Sequence, residues 1–189
     1  MNLPNKLTVI RILMIPIFVA LYFITAIPYN YTLSAVVFVL AAFTDFLDGY
    51  IARKYNLVTN LGKFLDPIAD KVLVSTALIV MLVLAPNGQV ILPFYGAIAV
   101  AIILARELII SGFRMVAASK GAVIAADWSG KIKTFVTDIA IAVLLVGADF
   151  SALYGVINTI GLVLLGISTV LTIVSGTECI IKNVSVLKD

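Results

Sequence analysis

The chain has 189 residues, of which 62% are hydrophobic and 12% are charged, and its mean hydropathy is +1.18. So few polar residues cannot cover a water-soluble domain of this length, so the composition predicts a protein embedded in a membrane. The absence of histidine excludes a histidine base, histidine-ligated zinc and phosphohistidine chemistry. The single cysteine, Cys179, excludes an internal disulfide. The net charge of +3 comes from basic residues beside apolar runs, which argues against a nucleic-acid partner.

Six apolar runs follow one another along the chain, each close to the ~20 residues that a membrane-spanning helix needs. They are residues 9–27, 32–53, 61–85, 90–114, 131–146 and 152–176. Turn-forming residues separate several of them, namely Pro28 with Asn30, residues 60–62, and Pro86 with Asn87 and Gly88. We therefore predict an all-α membrane protein with six transmembrane helices, built as a single domain over residues 1–189.

Lysine and arginine lie on one side of these predicted spans. They occur at the start of the first run, between the second and third runs, between the fourth and fifth, and in the tail, whereas the connections near residues 28–31, 86–90 and 148–152 contain none. By the positive-inside rule, both termini and the two basic loops are cytoplasmic. The residue Asp45 lies ~20 Å from the outer end of the second helix, which is the cytoplasmic third of the bilayer.

Four aspartates interrupt the second and third predicted helices. Asp45 and Asp48 are three residues apart and Asp66 and Asp70 are four apart, so each pair lies on one face of a helix. The short turn between the two helices makes them antiparallel neighbours, which lets the four side chains converge. Because carboxylates in a membrane need compensating cations and oxygen ligands suit Mg2+ or Mn2+, the pattern predicts two divalent ions acting on a phosphate. For Asp66, followed by Pro67, a helix N-cap role is an open alternative.

The arrangement D-x2-D-G-x2-A-R-x8-G-x3-D-x3-D over residues 45–70 resembles the signature of the CDP-alcohol phosphotransferases, and every fixed position is present. The resemblance implies a six-span enzyme with two divalent ions, working as a homodimer. It implies that Asp45, Asp48 and Asp66 are metal ligands and that Asp70 is the base and also a ligand. Further residues would hold the cytidine nucleotide and its pyrophosphate: Gly49, Ala52, Arg53 and Gly62. Asn5 and Thr8, at the start of the first helix, are candidates to approach the nucleotide, and N-capping is an open alternative for one of them.

A second cluster of charge lies in the stretches A-R-E-L-I-I-S-G-F-R, residues 105–114, and D-W-S-G-K-I-K-T, residues 127–134. Cations beside a metal site suggest that the acceptor alcohol carries its own phosphate. The candidates to bind it are Arg106, Arg114, Lys131 and Lys133. Together with the N-terminal segment, these stretches resemble the family members that use glycerol 3-phosphate.

The expected activity is transfer of the phosphatidyl group of CDP-diacylglycerol to glycerol 3-phosphate, with release of CMP, at the cytoplasmic face of a bacterial inner membrane. Two alternatives stay open. One is the same chemistry with another acceptor, such as inositol phosphate, serine or phosphatidylglycerol. The other is a divalent-cation transporter, because carboxylates within a membrane also mark cation carriers. The sequence leaves open the roles of Arg11, Glu107 and Asp138.

Overall fold

A computed structural model describes residues 3–54, 60–120, 128–150 and 153–184, apart from the side chains at positions 3, 4, 46, 50, 52, 53 and 60–67. Over these ranges the chain forms helices and no strand, which confirms the all-α prediction. The helices are α1 (Leu3–Phe23), α2 (Asn30–Lys54), α3 (Asn60–Val80), α4 (Phe94–Ser119), α5 (Trp128–Asp149) and α6 (Tyr154–Asn183).

Helix boundaries differ from the predicted runs by up to seven residues, and the difference between the third and fourth runs reflects a folded loop. Helix α3 ends at Val80, and the apolar residues that follow do not continue it. Instead the chain folds back on itself, with the amide of Leu92 donating to the carbonyl of Met81 at 2.9 Å. Gly88 turns this loop with a φ of +80°, a conformation that glycine adopts without strain. The loop buries Ile91 and Leu92, so the apolar residues there form core and not another helical turn.

Four helices in the described ranges are long and apolar enough to cross a membrane, judged by length and composition: α1, α2, α4 and α6. The charged residues of α3 and α5 are spread so that neither helix contains such a long charge-poor stretch. Large apolar side chains are exposed on the outside of the bundle, for example Leu13 on α1, Ile98 on α4 and Val170 on α6. Water would make such surfaces costly, whereas lipid tails would not.

At one end of the bundle, hydrogen bonds join the start of α2 to the loop after α3 and to the end of α5. The Tyr31 hydroxyl lies 3.1 Å from Asn87 Oδ1 in the loop after α3. At the last residue of α5, Asp149 Oδ2 accepts the amide of Thr32 at 2.5 Å, in the first turn of α2. A carboxylate there satisfies a helix N-terminal amide and faces the positive end of the helix dipole. These contacts place the start of α2 beside the end of α5, so the two helices run antiparallel.

Glycines let α5 and α6 pack closely. A Cβ added to Gly161 on α6 would lie 2.6 Å from Leu144 Cγ on α5, and one added to Gly147 would lie 2.8 Å from Ile157 Cγ2. Small residues at such crossings allow helix backbones to approach in membranes. The close packing of α6 against α5 therefore fixes the position of α5, the helix that carries several of the charged residues.

We predict that Gly161→Val lowers the melting temperature of the purified protein. Overpacking costs about 1–3 kcal/mol, which corresponds to about 3–10 °C for a chain of this size. The matched control is Gly166→Val on the same helix, where an added Cβ meets nothing within 4 Å. Equal melting temperatures for the two variants in detergent would contradict the close α5–α6 approach.

Candidate active site

The first part of the site is a buried ion cluster between α1 and α2. Arg11 is fully buried, and its Nη2 lies 2.5 Å from Asp48 Oδ2 while its Nη1 lies 2.8 Å from Asp45 Oδ1. Its Nε also donates to the carbonyl of Ala41 at 3.3 Å. Asp48 is 2% exposed and Asp45 is 41% exposed, so the pair extends from the helix interface to the surface. The two aspartates predicted to share a helix face do so, and Arg11 neutralises part of their charge.

Arg11 belongs to the buried face of α1. Asn5, Thr8 and Arg11 are buried at successive intervals of three residues, and the apolar stripe of the same helix continues through Ile15 and Phe18. Helical periodicity places such residues on one face. The N-terminal half of the buried α1 face is therefore polar, and this half lies next to the aspartates of α2.

The second part is a narrow cleft between α3, α4 and α5. Its polar lining residues are Asp70, Lys71, Ser75, Glu107, Lys133, Thr134 and Thr137. Asp70 lies within electrostatic range of both clusters, because it interacts with the charges of Asp45 and Arg11 as well as with those of Glu107 and Lys133. The structure therefore brings the predicted base close to both groups of predicted ligands.

Glu107 organises the charges at the α4 wall of this cleft. Its Oε1 contacts the Nζ of Lys133 and lies 3.1 Å from Nη1 of Arg106. Its backbone carbonyl accepts the Ser111 hydroxyl at 2.5 Å, and the Nζ of Lys71 contacts that same hydroxyl. One turn of α4 thus holds a cation from α3 and another from α5.

The predicted acceptor-binding cations do not all lie together. Lys133 lines the cleft, whereas Lys131 is exposed and lies over the Trp128 ring, 5.4 Å from its centroid. Two residues along a helix correspond to a rotation of about 200°, which explains the separation. Arg106 turns towards α6, where its Nη2 donates to the Ser175 hydroxyl at 3.0 Å. The remaining candidate, Arg114, lies within electrostatic range of Lys71.

Several predicted positions lie outside what the structure describes. Ala52, Arg53, Gly62 and Asp66 belong to α2 and α3, but their side chains fall in the undescribed set. Gly49 is partly buried on α2, one residue after Asp48. The nucleotide-binding predictions for Gly49, Ala52, Arg53 and Gly62 and the metal-ligand prediction for Asp66 therefore stay predictions.

The residues present fit a divalent ion in their chemistry. Asp45 and Asp48 supply oxygen donors of the kind that Mg2+ and Mn2+ take, and the buried guanidinium between them shows that this point accommodates positive charge. Within the described part of the chain, no three metal-ligating side chains are close enough together to hold an ion. The side chain of Asp66, another predicted ligand, lies outside that part.

The sequence left the roles of Arg11 and Glu107 open, and Lys71 was not among the predicted binding residues. The signal for Arg11 was its helical spacing from Asn5 and Thr8. Glu107 could have been linked to a lysine by its place in an apolar run, since a buried carboxylate needs a cation. No sequence signal indicated that Lys71 would reach Ser111.

Comparison with known proteins shows which family the chain belongs to. The chain matches the family model described as CDP-alcohol phosphatidyltransferase over residues 1–174. It is 40% identical over 201 residues to the CDP-diacylglycerol–glycerol-3-phosphate 3-phosphatidyltransferase of Bacillus subtilis (strain 168), covering 99% of this chain and 97% of that protein. Proteins of the same name from Rickettsia bellii (strain RML369-C), at 41% over 175 residues, and Salmonella typhimurium (strain LT2), at 39% over 148 residues, cover 93% and 76% of this chain and 91% and 76% of their own lengths. The chain belongs to the CDP-alcohol phosphatidyltransferase family.

Proposed function

We propose that this protein transfers the phosphatidyl group of CDP-diacylglycerol to glycerol 3-phosphate, giving phosphatidylglycerophosphate and CMP. The observation that carries the proposal is the position of Asp70, in a cleft with two lysines and within electrostatic range of Asp45. A carboxylate that can take a proton therefore adjoins cations that can hold a phosphate. The names of the relatives support the same donor and acceptor.

Two divalent ions, Mg2+ or Mn2+, would be held by Asp45, Asp48, Asp66 and Asp70. When bound, they would offset the negative charge of the donor's pyrophosphate. Arg11 has a separate task, which is to keep Asp45 and Asp48 on one side of the α1–α2 interface. Its short contacts with both carboxylates support this assignment.

The transfer step needs one proton acceptor and one leaving group. The primary hydroxyl oxygen of glycerol 3-phosphate forms a bond to the phosphorus that carries diacylglycerol, and the bond from that phosphorus to the CMP oxygen breaks. Asp70 accepts the hydroxyl proton. Such a base contributes about 10²–10⁴-fold to the rate when it is well placed.

Six residues are proposed to bind the cytidine nucleotide and its pyrophosphate: Gly49, Ala52, Arg53, Gly62, Asn5 and Thr8. Of the four cations predicted to bind the acceptor phosphate (Arg106, Arg114, Lys131 and Lys133), Lys133 has the strongest support because it lines the Asp70 cleft. The diacylglycerol tails extend into the surrounding lipid.

All six helices are proposed to span the bacterial inner membrane, with both termini and the active site on the cytoplasmic side. The placement of Lys and Arg supports this orientation, and the antiparallel arrangement of α2 and α5 agrees with it. We further propose one domain per chain and a homodimer, as the family resemblance implies.

An acceptor panel tests the proposed function. The protein, purified in detergent, is incubated with CDP-diacylglycerol and Mg2+, and CMP release is measured with glycerol 3-phosphate, inositol phosphate, serine or phosphatidylglycerol. We expect CMP release with glycerol 3-phosphate to exceed release with serine or phosphatidylglycerol at least tenfold, because the cleft cations pair with a free phosphate. Faster release with another alcohol would contradict the acceptor. No release with any alcohol, together with divalent-ion flux into liposomes, would favour a cation carrier.

A further inference from the structure

We propose that Lys71 and Lys133 bind the acceptor's phosphate, that the Glu107 side chain positions Lys133 and Ser111 positions Lys71, and that Arg106 positions Glu107 from the side of α6 and does not touch the substrate. This inference rests on the proposed function and specifies the residues of its acceptor site. It adds Lys71 to the binding residues and moves Arg106 from substrate binding to positioning.

Lys71 is the cation nearest in sequence to the proposed base. It follows Asp70 directly, and both residues line the cleft together with Lys133. Its Nζ reaches across to the Ser111 hydroxyl on α4, so the ammonium group is held between α3 and α4. A phosphate bound between Lys71 and Lys133 would keep the acceptor's hydroxyl in the same cleft as the Asp70 carboxylate.

Two residues one turn apart on α4 hold the two lysines. The carboxylate of Glu107 contacts Lys133, and the hydroxyl of Ser111, which donates to the backbone carbonyl of Glu107, contacts Lys71. A free lysine samples many rotamers, and ordering it opposes ligand binding. Lysines already held by these contacts avoid most of that loss, which is the effect of preorganisation.

Arg106 is engaged on the opposite side of Glu107. Its Nη1 contacts Glu107 at 3.1 Å and its Nη2 donates to Ser175 at 3.0 Å. Its aliphatic part fills the space beside Gly176, where an added Cβ would lie 2.9 Å from Arg106 Cγ. Arg106 is absent from the lining of the cleft. The side chain therefore links α4 to α6 and fixes Glu107.

The charges of this region favour a phosphate. The cations in the lining of the cleft are Lys71 and Lys133, and they lie beside the carboxylates Asp70 and Glu107. Ammonium groups held in place in this way form charge-assisted hydrogen bonds to phosphate oxygens. An acceptor without a phosphate would lack these bonds.

The test compares charge-removing variants of the full-length protein in detergent with CDP-diacylglycerol and Mg2+. We expect Lys71→Met and Lys133→Met to raise the KM for glycerol 3-phosphate at least tenfold while the KM for CDP-diacylglycerol stays within twofold. Glu107→Gln raises the same KM, and Glu107→Asp restores part of the loss. Arg106→Gln, which keeps hydrogen-bonding capacity towards α6, raises it less than Lys71→Met. Lys120→Met, at the exposed end of α4, is the matched control and stays within twofold of the wild type.

Equilibrium binding of radiolabelled glycerol 3-phosphate without donor gives a second readout, in which the Kd follows the same order of variants. A KM for Lys71→Met within twofold of the wild type, or a larger effect of Arg106→Gln, overturns this inference while the proposed function stands. A wild-type protein that neither binds nor uses glycerol 3-phosphate overturns both.

Discussion

Replacing Asp70 by asparagine is expected to reduce the rate of transfer to glycerol 3-phosphate by about 10²–10⁴-fold. Asparagine has nearly the shape of aspartate but cannot accept the proton of the acceptor's hydroxyl. Because Asp70 lines the cleft beside Lys71, the exchange leaves the two lysines in place. The measurement is the initial rate of lipid labelling at saturating donor and acceptor, with the elution profile and melting temperature as checks of folding.

The control for Asp70→Asn is Glu178→Gln, which makes the same change of carboxylate to amide. Glu178 lies on α6, where it pairs with Lys182 at 2.6 Å and takes no part in the cleft. Its rate should stay within twofold of the wild type. A folded Asp70→Asn protein that keeps more than about a tenth of the wild-type rate would remove Asp70 from the role of base.

The second large effect is expected at Arg11. Arg11→Met removes the fully buried cation and leaves Asp48, which is 2% exposed, without that partner. Breaking a buried pair in this way costs about 3–5 kcal/mol, which corresponds to a fall in melting temperature of about 6–20 °C for a chain of this size. The measurement is thermal unfolding in detergent with a chelator present.

Two further measurements show whether the missing positive charge causes this fall in melting temperature. Adding Mg2+ should restore part of the melting temperature of Arg11→Met, since a divalent ion would supply the missing positive charge at Asp45 and Asp48. The double variant Arg11→Met with Asp48→Asn should melt at a higher temperature than Arg11→Met alone, because the buried charge that lost its Arg11 partner is gone. A single variant as stable as the wild type in chelator would contradict the buried pair.

Hydrophobic runs predicted where the helices lie, because each run is long enough to form one. Six helices occur at the predicted places in the described ranges. The third run was misjudged at its end, where Leu92 bonds back to Met81 and forms a buried loop. A hydropathy profile cannot separate such a loop from a helix, since both are apolar.

Within the site, local spacing predicted contacts along one helix but not contacts between helices. The pair Asp45 and Asp48 lies on one face as expected, since that relation depends on helical geometry alone. The partner of this pair, Arg11, comes from another helix, 37 residues away from Asp48. Likewise, Lys133 was grouped with Lys131 by sequence, although helical rotation separates them and Glu107 on α4 is the partner of Lys133.

The most direct test of the central claim is the stoichiometry of one reaction. Purified wild-type protein is given CDP-diacylglycerol and radiolabelled glycerol 3-phosphate, with Mg2+ or with a chelator, and both CMP and label in the lipid phase are counted. The proposed function predicts equal amounts of CMP and labelled lipid, formed only when donor, acceptor and divalent ion are all present. Label that stays in the aqueous phase while folded protein is supplied with all three would contradict it.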